Sequence, residues 1–384
     1  MKALQQDALN KLFSKIKERS TTFIGYPTAV DYDYSELYPL LQYSLNNVGD
    51  PFIDSHSDMN TKSFEREVVE FYARMFNAPE NNWWGYVTNG GSEGNLYALY
   101  LARELYPNAI VYYSEATHYS VQKNIHLLNM PSIVIRSQEN GEMDYEDLAD
   151  TIHYHRQQPA VILANIGTTM TEAKDNIQNI RQILKKFAIR SHYIHCDAAL
   201  AGPFLAAIGK GSEFDFSAGA DSIAISGHKF IGSPIPCGVV LVKKSNRDRI
   251  SRSVPYIGTL DTTITGSRNA ITPLFMWYAL QMIGEQGLRL RAEQSLSLAS
   301  YTELQLKSEG FDAWRNTDAI TVVFPKPSDR ICHKWQLATD NTQSHLICMP
   351  GVNREQIDLF VKDMKESREQ GVNCALPSVS YHLN

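Results

Sequence analysis

Positive charge is not in surplus in this sequence: 36 Lys and Arg stand against 42 Asp and Glu, a formal net charge of −6. Nothing is spare to neutralise a phosphate backbone or to hold an anionic bilayer, so neither nucleic acid nor a membrane surface is expected as a partner. No window of about eighteen apolar residues occurs, which removes a membrane-spanning helix from consideration. Cysteine is scarce. The 5 residues, Cys196, Cys237, Cys332, Cys348 and Cys374, are odd in number, scattered and without a CxxC pair. That usage argues against a disulfide framework or a zinc clamp and for a reducing compartment, the cytoplasm. The amino-terminal MKALQQDALNKLFSKIKERS lacks the uninterrupted apolar core of a secretory signal. Its Leu4, Leu9, Leu12, Phe13 and Ile16 predict an amphipathic helix instead.

What is present is a chain of 384 residues, 43% hydrophobic and 20% charged, enough for about two to three globular domains. No repeat, low-complexity tract or Pro/Gly/Ser linker divides it, so boundaries follow from rhythm. Between about residues 85 and 245, AIVYYS (109–114), SIVIRS (132–137), AVILAN (160–165), YIHCDAA (193–199), SIAIS (222–226) and GVVLV (238–242) alternate with helical stretches. The alternation predicts an α/β domain over 61–250, with a mostly parallel central sheet covered by helices. Beyond residue 250 the rhythm changes. A long helical stretch follows Pro273, then strand-like AITVVF (319–324) and HLICM (345–349) alternate with helical segments near 330–340 and 353–368. This predicts a smaller α+β domain over 251–384. Residues 1–60 read as an arm, and the aromatics of GYPTAVDYDYSELYPLLQY predict that a contact between subunits covers it.

The chemistry lies in where polar residues fall. EATHYS with His118 follows the first of these strands and IGTT with Thr168 follows AVILAN. YIHCDAA contains Asp197, and GHK with Lys229 follows SIAIS. In open α/β sheets ligands bind outside the carboxyl ends of strands, so four strands deliver these groups to one crevice. TNGGSEGN (88–95) is a glycine-rich turn running into a helix, a cradle for an anion. Gly90, Gly91 and Gly94 match neither GxGxxG nor GxxxxGK, which points to a single phosphate. His195 and Asp197 share a strand face, but alternation sends His192 to the other one and no HExxH completes a metal site. A phosphate cradle, a carboxylate, a ring for stacking and a lysine are the set that pyridoxal phosphate requires.

These residues also carry a resemblance. SGHKFIGSPIPCG, HCDAA, ATHYS, TNGGSEGN and TITGSRN together resemble the group II pyridoxal-phosphate decarboxylases, and within them the bacterial histidine decarboxylases, over nearly the whole chain. The resemblance implies the aspartate aminotransferase-like fold, fold type I, in a homodimer with active sites near the subunit boundary. It implies that Lys229 joins the cofactor aldehyde, Asp197 pairs with the pyridine nitrogen, and His118 stacks on the ring and meets substrate. Gly91, Ser92, Ser226 and His228 would hold the phosphate, Ala199 would cover the opposite ring face, and Thr168 would approach the ring hydroxyl. The implied reaction is decarboxylation of an L-amino acid, histidine first, giving histamine. Two departures keep serine or a small aliphatic amino acid as the alternative. SRNAITP (267–273) stands where those enzymes carry SRNGHTP, and DPFIDSHSDMNTKSFEREV resembles plant serine decarboxylases. A non-catalytic protein that binds the cofactor through the same fold is the reading from a different class, and the intact Lys, Asp and His argue against it.

Overall fold

A computed structural model describes residues 3–29, 31–250, 252–254 and 259–373; Cys374, with the rest of 374–384, lies outside the described residues. Seven strands form the main sheet: β1 (Trp84–Thr88), β2 (Ile110–Ser114), β3 (Ser132–Ile135), β4 (Ala160–Asn165), β5 (His192–Asp197), β6 (Ser222–Ser226) and β7 (Gly238–Val242). Their order is β1-β7-β6-β5-β4-β2-β3. Six of them are the apolar runs read from the sequence, and β1 is the addition. The sheet is parallel except for β7, which runs antiparallel to both β1 and β6. The helices are α1 (Ala3–Ser20), α2 (Lys62–Met75), α3 (Gly91–Leu105), α4 (Tyr119–Leu127), α5 (Tyr145–Tyr154), α6 (Ile177–Lys186), α7 (Ala201–Ala207), α8 (Lys244–Asp248), α9 (Ile271–Ser308), α10 (Asp329–Trp335) and α11 (Arg354–Asn373).

Strand alternation decides which helix covers which face. Val111, Tyr113, Val161, Leu163, Tyr193, Val240 and Val242 point one way and pack with α3 and α4 through Tyr97, Leu101, Val121 and Ile125. Their neighbours Tyr112, Ile162, Ile194, Ile223, Ile225 and Val239 point the other way, onto Val68 and Tyr72 of α2, Ile180 of α6, Phe204 of α7 and Phe275 of α9. Both faces of β2 and of β4 to β7 are therefore buried, which is why those strands read as continuous apolar runs.

After a hairpin, β8 (Arg252–Val254) and β9 (Thr259–Asp261), comes α9. Pro273 is tolerated there because first-turn N–H groups have no intrahelical acceptor. The helix is kinked at Gly284, at φ 62° and ψ 175°. A small antiparallel sheet follows, β10 (Thr321–Pro325), β11 (Ala338–Thr339) and β12 (Gln343–Ile347), in the order β10-β12-β11. Its core joins Val322, Phe324 and Leu346 to Ala299 and Leu306 of α9, Trp335 of α10, Phe360 of α11 and Ile24. Among the described residues no helix is long and apolar enough to cross a membrane.

Within residues 1–60, Tyr32 and Tyr34 are covered by their own chain. The Tyr34 hydroxyl donates to the Gly232 carbonyl at 3.1 Å, and Tyr34 meets Phe275 edge-on. The apolar face of α1 is open, with Leu9, Leu12, Phe13 and Ile16 each at least half exposed, as are Tyr38, Leu41 and Tyr43.

Candidate active site

Register brings the carboxyl ends of the parallel strands and the amino end of β7 into one row. Asn165 of β4 lies opposite Asp197 of β5, Asp197 opposite Ala224 of β6, and Ser226 opposite Gly238 of β7, which in turn faces Thr88 of β1. The parallel strands end there because the chain turns at once into loops or helices, and the polar side chains of those turns gather along this edge.

Lys229 sits in a single π-helical turn, Gly227–Ile231, directly after β6, with a non-helical backbone at φ −87° and ψ −107°. Gly232 closes the turn in the left-handed region at φ 91°, against the ring of Tyr32. The backbone carbonyl of Lys229 accepts from the Ala29 N–H at 3.2 Å. The residue is half-buried by surface area, yet its amine lies deep enough that desolvation pulls its pKa down, only partly opposed by the carboxylates of Asp197 and Glu172. A larger share of neutral, nucleophilic amine results.

Asp197 is buried at 7% exposure. Its Oδ2 accepts from Asn95 Nδ2 at 2.6 Å and its Oδ1 from the Ala199 N–H at 3.3 Å. His118 caps α4: its Nδ1 accepts from the Ser120 N–H at 3.3 Å and lies 2.8 Å from Ser120 Oγ. Burial lowers the pKa of His118, Asp197 opposes that, and Lys229 and Lys123 add to it. The charges of Lys229 and Asp197 thus act on His118 as well as on each other. A neutral imidazole can lie on a cationic heterocycle without charge repulsion.

The anion cradle is built at the start of α3. Gly90 has φ 146°, which side chains disfavour, and it turns β1 into the helix. A Cβ on Gly91 would lie 2.8 Å from Ser226 Oγ and 3.5 Å from Ala199 Cβ. Glycine there lets the free first-turn N–H groups approach the Ser226 hydroxyl. Asn124 of α4 holds this turn by donating to the Ser92 carbonyl at 2.8 Å. His228 is tied through Nδ1 to the backbone of Cys237, 3.0 Å from its carbonyl and 3.3 Å from its N–H, so Nε2 is its remaining ring nitrogen. Thr168 is buried, and its hydroxyl accepts from the Ala173 N–H at 3.0 Å and lies 3.0 Å from Thr171 Oγ1, closing its own loop.

Lys229, Asp197 and His118 therefore share one electrostatic environment, and Gly91, Ser226 and Ala199 are in mutual contact. A helix amino terminus opened by glycine beside a serine suits a monophosphate, and a desolvated amine within the field of a buried carboxylate suits a pyridoxal aldehyde and ring. The sequence reading missed Asn95, Asn124 and Asn165. Asn95 was within reach of it, since it lies four residues after Gly91 and so on the same helix face. Asn165 Nδ2 lies 3.1 Å from both Ser114 Oγ and Thr117 Oγ1 and donates to Asp175 at 2.9 Å, bracing the loop that carries His118. The SRNAITP segment is built into the chain's own frame. Arg268 is ion-paired with buried Glu65, Asn269 Oδ1 caps α9 through the Ile271 and Thr272 N–H groups, and Ala270 is 1% exposed.

The conserved domain of pyridoxal-dependent decarboxylases matches residues 6–325. A histidine decarboxylase of Mesorhizobium japonicum is 48% identical over 357 residues, 93% of this chain and 96% of that protein. Another, of Vibrio anguillarum, is 43% identical over 359 residues, 93% of each chain. Among solved structures, the L-methionine decarboxylase of Streptomyces sp. 590 aligns with TM-score 0.86 at 25% identity, covering 94% of each chain. Lactobacillus brevis glutamate decarboxylase aligns at 0.81 and 17% identity, covering 98% of this chain and 94% of that one, a likeness of fold.

Proposed function

The chain belongs to the pyridoxal-dependent decarboxylases, carboxy-lyases of fold type I whose cofactor is pyridoxal 5′-phosphate, and from that premise we propose that its substrate is L-histidine and its products histamine and CO2. The observation that carries the choice of substrate is the 48% and 43% identity to histidine decarboxylases across 93% of the chain.

When bound, the cofactor supplies an electron sink for the pair left at Cα as CO2 departs. In this reading Lys229, whose amine is held partly neutral by desolvation, would hold the cofactor at its aldehyde carbon. Asp197 would hold a proton on the ring nitrogen, which would keep the sink strong. His118, its imidazole held toward the neutral form by burial, would cover the cofactor ring and meet substrate, and Ala199 would pack opposite it. Gly91, Ser92, Ser226 and His228 would hold the phosphate, and Thr168 would approach the ring hydroxyl. Lys229 and His118 are the two groups placed to move a proton at Cα.

The test is CO2 release by the holoenzyme from each of twenty amino acids, with histidine expected to dominate. Lys229→Ala should lose turnover and the borohydride-sensitive chromophore while still binding phosphate; full turnover in that variant would overturn the scheme. Asp197→Ala should lower kcat far more than it raises KM.

We further propose a homodimer with its sites near the subunit boundary, supported by the exposed apolar side chains of α1 and of Tyr38, Leu41 and Tyr43. Sedimentation at micromolar concentration should give twice the chain mass, and a monomer would refute it. Cysteine usage supports a cytoplasmic setting.

A further inference from the structure

A buried chain of hydrogen bonds runs away from Asp197 into the sheet, and nothing in the reaction described so far uses it. Asn95 donates from Nδ2 to Asp197 Oδ2 at 2.6 Å, and its Oδ1 lies 2.9 Å from His195 Nε2. His195 Nδ1 lies 2.8 Å from Ser222 Oγ. His195 and Ser222 are fully buried, and Asn95 is 2% exposed.

The direction of every proton in this chain follows from its chemistry. An ionised carboxylate only accepts, so Asn95 must turn its amide N–H toward Asp197 and its carbonyl oxygen toward His195. That oxygen only accepts, so His195 must carry its proton on Nε2. Nδ1 of a neutral ring is then an acceptor, and the Ser222 hydroxyl must donate to it. Burial favours the neutral ring, pushing the His195 pKa down to about 4 against the pull of Asp197. All three bonds thus point their donors the same way, and the last acceptor is the Asp197 carboxylate.

We infer that His195, acting through Asn95, is a positioning residue that holds Asp197 ionised and aimed at the ring nitrogen of the cofactor. The inference rests on the reading of Asp197 given above. One feature distinguishes this role from filling space. Leu or Phe would fill the site between β5 and α3 without a donor, whereas the structure puts a histidine there with both ring nitrogens engaged. The other titratable groups whose charges meet that of Asp197 are Lys229, His118 and Cys196, and none of them touches Asn95 in this chain of bonds.

The experiment compares reconstituted wild-type holoenzyme with His195→Leu and His195→Gln, since glutamine can place an amide N–H where Nε2–H stands. His195→Leu should lower kcat about tenfold with little change in KM. It should also move the acid limb of the kcat profile, and of the cofactor's visible band, upward by about one pH unit. His195→Gln should restore both. Unchanged profiles in His195→Leu, or equal impairment in the two variants, would overturn the inference. Nitrogen-15 NMR of labelled histidine in wild-type protein supplies a readout that needs neither variant nor turnover: His195 should be the Nε2–H tautomer at pH 7. An Nδ1–H ring or an imidazolium would refute the relay even if His195→Leu fails to fold. A wild-type protein that never acquires the visible band would sink the functional reading instead, and the tautomer would still decide the relay.

Discussion

Gly91→Ala and Gly94→Ala add the same methyl group one helical turn apart, and the structure separates their consequences. At Gly91 the new Cβ stands 2.8 Å from Ser226 Oγ, about 0.6 Å inside ordinary contact. The hydroxyl can rotate away, so the cost falls on whatever that hydroxyl binds. Losing one hydrogen bond to a charged phosphate removes about 1.5–3 kcal/mol, or about 10- to 150-fold in cofactor affinity. Stability of the protein without cofactor should change by less than about 1 kcal/mol, since alanine is also the better helix former. At Gly94 the new Cβ stands 2.8 Å from Ala224 Cβ and 3.7 Å from Val240 Cβ, atoms fixed to the backbone of β6 and β7. Nothing there can rotate, and forcing α3 off the sheet should cost about 1–3 kcal/mol of stability. Absorbance titration of each variant with pyridoxal phosphate, beside urea unfolding without it, distinguishes the two costs. A Gly91→Ala protein that binds the cofactor as tightly as wild type would refute the assignment of this cradle to the phosphate.

Two further outcomes are expected. Arg268→Met should destabilise the fold by about 3–5 kcal/mol in urea unfolding, because it strands buried Glu65, which also accepts from the Val87 N–H at 2.9 Å and from Asn47 Nδ2 at 2.8 Å; a loss below about 1 kcal/mol would refute the argument. Acid should weaken the fold through His195. Its folded pKa is depressed from 6.5 to about 4, so the unfolded chain takes up the proton first and stability is lost as pH falls through that window, by about 2 kcal/mol between pH 8 and pH 5. His195→Gln should lack that share of the acid slope, and identical slopes in both proteins would show that the histidine is not held neutral.

The central strands were legible because both of their faces are buried. A run such as AVILAN must then be apolar throughout, and the residue that breaks it marks the carboxyl end where chemistry collects. For the same reason Lys229, Asp197 and His118 could be found one by one, each by its place at or just beyond the end of a strand, whereas the glycine turn was legible from the helix that follows it. β1 was harder: WGYVT is short, and its antiparallel neighbour β7 is brought beside it only by the fold. The kink at Gly284 interrupts a helix that periodicity reads as continuous.

By itself, then, the sequence determined the α/β alternation, the edge of the sheet that carries the site and the residue types gathered there, since each of these is written in neighbours along the chain. Tertiary structure alone decided which of those residues touch. Asn95 meets Asp197 across 102 residues, and Arg268 meets Glu65 across 203. Such partners leave no periodic trace, because hydrogen bonds and buried ion pairs depend on distances of a few ångströms that exist only once the chain has closed on itself.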